Sequence, residues 1–199
     1  MHRNNQPDNH TAQRRCDIAK YYLERIDIAM TVTEPTPYVN AVRLMAEQGD
    51  PDAQHTMGAL LLQGEEIAQD FDAAAQWHRL AAEQGHPDAQ HDLGVMAWEG
   101  LGCAPDAEAA RQWFTLAAQQ GNPDARNNLG VLWATGEGGA QDLAQACYWF
   151  ALAARDGLPD AQDNLQQARN EASEQEWRAA QERLDALTAQ ATDDADDAL

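Results

Sequence analysis

The residues in this chain that could do chemistry are few: six histidines, three cysteines, one serine (Ser173), one lysine (Lys20) and many carboxylates. His55 and His91 stand 36 positions apart in matching contexts, "DAQHTMG" and "DAQHDLG". Two imidazoles on neighbouring elements hold a metal ion only with further ligands. No HExxH and no histidine–carboxylate cluster supplies them, so both are expected to be polar surface residues, and no metal or cofactor is expected. Glu65 and Glu66 are adjacent, whereas acid–base catalysis needs groups set against a substrate in a pocket. Ser173 has no nucleophile context, and no GxxxxGK[ST] stretch exists to cradle a phosphate,. Catalytic residues are therefore not expected. Trp98 is the side chain that suggests recognition, because a half-exposed tryptophan is a typical anchor at protein interfaces.

These residues sit on a repeating frame. "GDPDAQHTMG" at Gly49 recurs as "GHPDAQHDLG" at Gly85, "GNPDARNNLG" at Gly121 and "GLPDAQDNLQ" at Gly157. Asp70, Asp106 and Asp142 keep the same 36-residue step, as do Trp77, Trp113 and Trp149, and Ala81, Ala117 and Ala153. A fixed period of this size marks a solenoid. Within one unit, Ala53, Met57 and Leu61, then Ala74, Trp77, Leu80 and Ala81, fall at helical spacing,. Pro51, Pro87, Pro123 and Pro159 suit the first turn of a helix. The Asp after each lies near the positive helix end. The four glycines before them suit the left-handed cap that ends the preceding helix. Gly58, Gly94 and Gly130 fall mid-helix, where glycine costs roughly 1 kcal/mol against alanine. Close packing of a neighbouring helix against bare backbone is the expected reason. Trp77, Trp113, Trp149 and Trp133 are expected in the core.

The pattern A-x-x-x-[LM]-G, a glycine-containing loop, D-x-x-x-A-x-x-W and A-A-x-x-G resembles Sel-1-like repeats, relatives of the tetratricopeptide repeat. The resemblance covers about residues 38–166 and implies an all-α, right-handed α-solenoid of helix-turn-helix repeats. Glu66 departs from the pattern where Gly102 and Gly138 stand, so the first loop is expected to bend differently. Some secreted members carry paired cysteines in each repeat; this chain does not. Three repeats are expected at 49–84, 85–120 and 121–156. A degenerate helical pair, 13–48, precedes them after a disordered stretch, 1–12. Beyond Pro159 the pattern decays, with Gln166 in place of glycine. One long helix, or two with a slight break, is expected as a capping segment over 157–190, since a solenoid ends in a more polar cap. An acidic disordered tail, 191–199, is expected to follow.

Composition narrows the partners. Thirteen basic residues against 33 acidic give a net charge of −20, which argues against nucleic acid and an anionic membrane, and favours a basic protein partner. Cys16, Cys103 and Cys147 are irregularly placed and read as reduced thiols. The opening "MHRNNQPDNH" has no apolar core, so it does not read as a secretory signal. A cytoplasmic setting is expected.

If first helices line a concave surface, as the tetratricopeptide likeness implies, the facing residues are Asp52, His55 and Gln63; Asp88, His91, Trp98 and Glu99; Asp124, Asn127 and Thr135; and Asp160 and Asp163. This stripe is polar, mostly acidic, and varies between repeats whose core positions do not. The expected function is a non-enzymatic protein-interaction module. The resemblance implies bacterial adaptors, regulators of secretion or signalling, and immunity proteins against toxins. An inhibitor or immunity protein for a basic toxin or effector is the favoured form, and a monomer is favoured over a homo-oligomer. The alternative is a structural scaffold or adaptor that oligomerises through its last helix, with Trp177, Leu184 and Leu187 exposed.

Overall fold

Helix punctuation follows the repeat. The computed structural model describes residues 35–196. Among them are nine helices and no strand: α1 (Pro37–Glu47), α2 (Pro51–Gln63), α3 (Phe71–Glu83), α4 (Pro87–Glu99), α5 (Ala107–Gln119), α6 (Pro123–Thr135), α7 (Leu143–Arg155), α8 (Pro159–Glu171) and α9 (Glu174–Asp196). Each second helix of a repeat begins on one of the periodic aspartates. Asp70, Asp106 and Asp142 accept the amide of the residue three further on, all at 2.9 Å. Such caps are worth about 1 kcal/mol each. The turn into the next first helix passes through Gly49, Gly85, Gly121 or Gly157, with φ between 91° and 95°. A side chain there would be strained. The fold is all-α, a helix-turn-helix repeat of the solenoid class with a period of about 36 residues.

The helices group into two units: residues 35–86 with Glu99–Ala104, and Pro87–Trp98 with residues 105–196. In both, the mid-helix glycines meet a ring rather than a helix backbone. A Cβ on Gly58 would lie 2.7 Å from the His78 ring. On Gly94 it would lie 2.5 Å from Phe114, and on Gly130 2.6 Å from Phe150. These three rings again keep the 36-residue step. They are fully or almost fully buried. They, not the tryptophans one position earlier, fill each helix pair. Trp77 and Trp113 are only half-buried, and Trp149 alone is buried. Trp133 is also half-buried rather than core, with the Arg111 guanidinium 3.9 Å above its ring. The Ala81, Ala117 and Ala153 positions are fully buried, as expected.

A polar tie repeats with the period. Gln84 donates to Gln54 and Gln120 to Gln90, both at 2.7 Å. In the third repeat the equivalent positions hold an ion pair, Arg126 with Asp156. Glu66 does bend its loop differently. Gly102 and Gly138 have φ of 76° and 69°. Glu66 stays outside the left-handed region and accepts a 2.9 Å hydrogen bond from the Thr36 hydroxyl.

The ends differ from expectation in places. The C-terminal segment is two helices, broken at Ala172–Ser173. Ser173 donates its amide (2.8 Å) and its hydroxyl (2.7 Å) to Glu176, and accepts from the Glu176 amide at 3.3 Å. That reciprocal pair is a capping box, and it restarts the helix where no glycine or proline marks a stop. α9 continues to Asp196, into the stretch expected to be a tail. Trp177, Leu184 and Leu187 are not exposed. They are half-buried against the second unit's core, around Phe114, Leu132 and Phe150. At the other end, the expected partner helix of α1 and the 1–12 stretch lie outside the described residues.

Candidate functional site

The second unit presents three first helices, α4, α6 and α8, and their polar residues are cross-linked. Asn122 caps α6 by accepting from the Ala125 amide, and donates to Asp88 at 2.8 Å. His91 lies 3.2 Å from the Asn128 amide nitrogen and 3.3 Å from Asp92. Asn164 donates to Asn127 at 2.8 Å. Trp98 donates its indole N–H to Glu137 at 2.8 Å and meets Phe114 edge-on, 6.1 Å between ring centres. The first-turn aspartates, Asp88, Asp124 and Asp160, occupy equivalent positions of successive first helices, and all are exposed. Asp163 is exposed one turn further along α8. The result is a hydrogen-bonded polar floor with carboxylates at one end of the helices and a fixed, half-buried indole at the other.

Several predicted site residues behave otherwise. Asn127 is buried, at 6% exposure, and belongs to the floor rather than to its surface. His55 is not a plain surface residue. It is half-buried, stacks on His86 with 4.7 Å between ring centres, and lies 5.4 Å from His78. His91 is likewise half-buried, 5.7 Å from the Phe114 ring. Asp52, His55 and Glu99 fall in the first unit, and the other seven in the second. Asp52 is exposed and pairs with His86 at 3.1 Å. Glu99, at the end of α4, is half-buried. Gln63 and Thr135 are exposed.

Residues not singled out from sequence complete the site. Asn128 and Asn164 make the floor, and Glu137 fixes Trp98 from 39 positions away. The only advance signal was that 128 and 164 share one repeat position. Arg111 binds the Leu132 and Ala140 carbonyls at 3.0 and 3.3 Å, closing the loop that carries Glu137. Burial lowers its pKa, opposed by the nearby Asp142 carboxylate. Burial also raises that of the Cys147 thiol.

Sequence profiles agree with this geometry. The Sel1 repeat matches residues 51–86, 87–122 and 123–158, more than half of the chain. The chain belongs to the Sel1 repeat family. Sel1 repeats are protein-interaction modules. Solved Sel1 structures resemble it. A Sel1 repeat protein from Oxalobacter formigenes is 34% identical over 66% of this chain and 99% of that one, with a TM-score of 0.61. The protein c5321, a protective antigen of uropathogenic Escherichia coli, is 31% identical over 73% of this chain, with a TM-score of 0.62. This chain covers only 33% of the c5321 chain's length. Helicobacter pylori cysteine rich protein B, at 20% identity over 62% of this chain and 91% of its own and a TM-score of 0.53, shares the fold. No curated protein matches the sequence. Among the described residues no helix is long and apolar enough to cross a membrane.

Proposed function

We propose that this Sel1-repeat protein binds a basic protein on the first-helix face of its second unit, and acts as an inhibitor or immunity protein rather than as an enzyme. The observation that carries the reading is the row of exposed carboxylates on α4, α6 and α8, Asp88, Asp124, Asp160 and Asp163, with the half-buried Trp98 indole at the far end of α4. Complementary charge speeds encounter and selects partners. A rigidly held tryptophan supplies a desolvated anchor. Asp52, His55 and Glu99 extend the same acidic and polar first-helix pattern in the first unit. The scaffold alternative loses its support, because Trp177, Leu184 and Leu187 are packed inward, which also favours a monomer. Unpaired Cys103 and Cys147 suit a reducing, cytoplasmic compartment,.

The domain division belongs to the same proposal. Tyr38 and Met45 on α1 are 54% and 49% exposed, whereas their repeat equivalents Ala74, Ala81, Ala110, Ala117, Ala146 and Ala153 are fully buried. Residues 13–34, expected to supply the other helix of that pair, lie outside the described residues. Tyr22 and Val42 stand at the repeat positions of Gly58 and His78, with the large and small members exchanged.

The binding test is direct. The chain is immobilised beside an Asp124→Lys, Asp163→Lys variant and a Trp98→Ala variant, and each is offered extract from cells of the source. The proposal expects a basic protein held by the wild type, released by salt, and lost from both variants. A partner retained equally by all three sinks the face assignment. An acidic or nucleic-acid partner sinks the charge argument.

A further inference from the structure

The first repeat carries histidine in the ring slot where its sisters carry phenylalanine. The fully buried ring over the mid-helix glycine is phenylalanine at 114 and 150, so a plain hydrocarbon ring fills that slot. At 78 it is an imidazole, and it is fully buried too. The turn position that holds His86 holds Asn122 and Leu158 elsewhere, and the position of His55 holds Asn127 in the third repeat. Three of the chain's six histidines thus fall in one repeat, and the fold brings them together. His55 on α2 is the middle ring, 5.4 Å from His78 on α3 and 4.7 Å from His86 in the turn after α3. Ring nitrogens of His55 and His78 lie within 4.8 Å of each other. Asp52 reaches His86 Nε2 at 3.1 Å and so holds the ring on which His55 stacks.

We propose that this cluster is a site for a late first-row divalent ion, Zn²⁺, Ni²⁺ or Cu²⁺, with His55 and His78 as ligands and His86, stacked on His55, as the residue that positions the His55 ring. Neutral imidazole suits these ions. Metal–nitrogen bonds of about 2.0–2.1 Å at tetrahedral or right angles set two nitrogens about 3–3.5 Å apart, so side-chain rotation that closes the His55–His78 separation by up to about 2 Å brings both into range. Water fills the remaining coordination positions. The binding test varies Trp98, Asp124 and Asp163, and the metal test varies His55, His78 and His86, so the two proposals fail independently.

The repeat supplies its own control substitutions. His78→Phe, His55→Asn and His86→Asn each install a residue that the chain already uses at the equivalent position. The full chain, stripped of metal, is titrated with ZnCl₂ by calorimetry and with NiCl₂ by thermal shift. Wild type is expected to take up one saturable equivalent and to melt higher when loaded. His78→Phe and His55→Asn are expected to lose at least tenfold in affinity, and His86→Asn less, while each keeps the wild-type circular dichroism spectrum. A His2→Ala, His10→Ala variant is expected to bind as wild type. No saturable uptake overturns the proposal. So does unchanged affinity in both His78→Phe and His55→Asn, or loss confined to the His2, His10 variant. If His78→Phe does not fold, His55→Asn alone decides.

Discussion

The ring slot is built three times with one geometry and two chemistries. In the second and third repeats Phe114 and Phe150 press on Gly94 and Gly130, and Phe114 also lies 5.7 Å from the His91 ring. In the first, His78 presses on Gly58 with the same closeness, but here the slot ring is itself an imidazole, 5.4 Å from that of His55. The difference teaches that shape alone sets this position's packing, which leaves its polarity open to other uses. The His55 position varies in the same way, while the alanines at 81, 117 and 153 do not vary at all.

The comparison can be broken at its strongest point first. Phe114→Ala or Phe150→Ala should cost about 3–5 kcal/mol by urea unfolding, the range for a buried aromatic ring removed from a core. A loss below half that would show that the second unit's core does not depend on these rings. Next, Gly130→Ala puts a methyl group 2.6 Å from the Phe150 ring. Overpacking of about 1–3 kcal/mol outweighs the helix gain of about 1 kcal/mol, so the variant should be less stable. In a Phe150→Ala background the same change should stabilise. That reversal of sign in a double-mutant cycle identifies ring contact as the reason for the glycine. His78→Phe in metal-free protein sharpens the comparison: a similar-volume swap should move stability by less than about 1.5 kcal/mol. A larger loss would mean that the first unit needs the imidazole for its own folding.

The smallest effect lies at the α8–α9 break. The Ser173 hydroxyl and amide hold the Glu176 carboxyl below its ordinary value of 4.5. A depressed folded pKa contributes stability above the unfolded value, and that contribution is lost as pH falls through the folded one. Glu176→Gln should therefore be slightly less stable than wild type at neutral pH, and the gap should close in the acid range below 4.5. A gap independent of pH would assign the capping box to the hydroxyl alone.

Much of this could be read in advance because it is local. The GxPDA turns and the capping aspartates 70, 106 and 142 act within a few residues of themselves, so their spacing spells out each helix start and stop. For Trp77 and Trp113 the tryptophan assignment missed by one position, while Trp149 is buried as expected. The 36-residue step is shared by 77 and 78 alike, and periodicity does not say which of two neighbouring side chains points at a glycine two helices' turns away in space. Ser173 and Glu176 carried a visible S-x-x-E signal; the lack of glycine or proline masked it. Glu137 on Trp98 and Asn164 on Asn127 had no signal at all, because they join residues 39 and 37 apart across separate helices.

By itself, the amino-acid order determined the helical repeat, its period, its caps and the acidic character of its first helices, since all of these follow from short-range backbone preferences and from counting charge. Only the tertiary structure decided which ring enters each glycine slot, that Trp98 is tethered by a carboxylate, that the last helix turns its apolar side inward, and that three histidines from two helices and a turn meet. Those outcomes depend on side-chain directions across packed helices, and a few degrees of helix rotation, invisible in a linear pattern, separates a surface residue from a buried one.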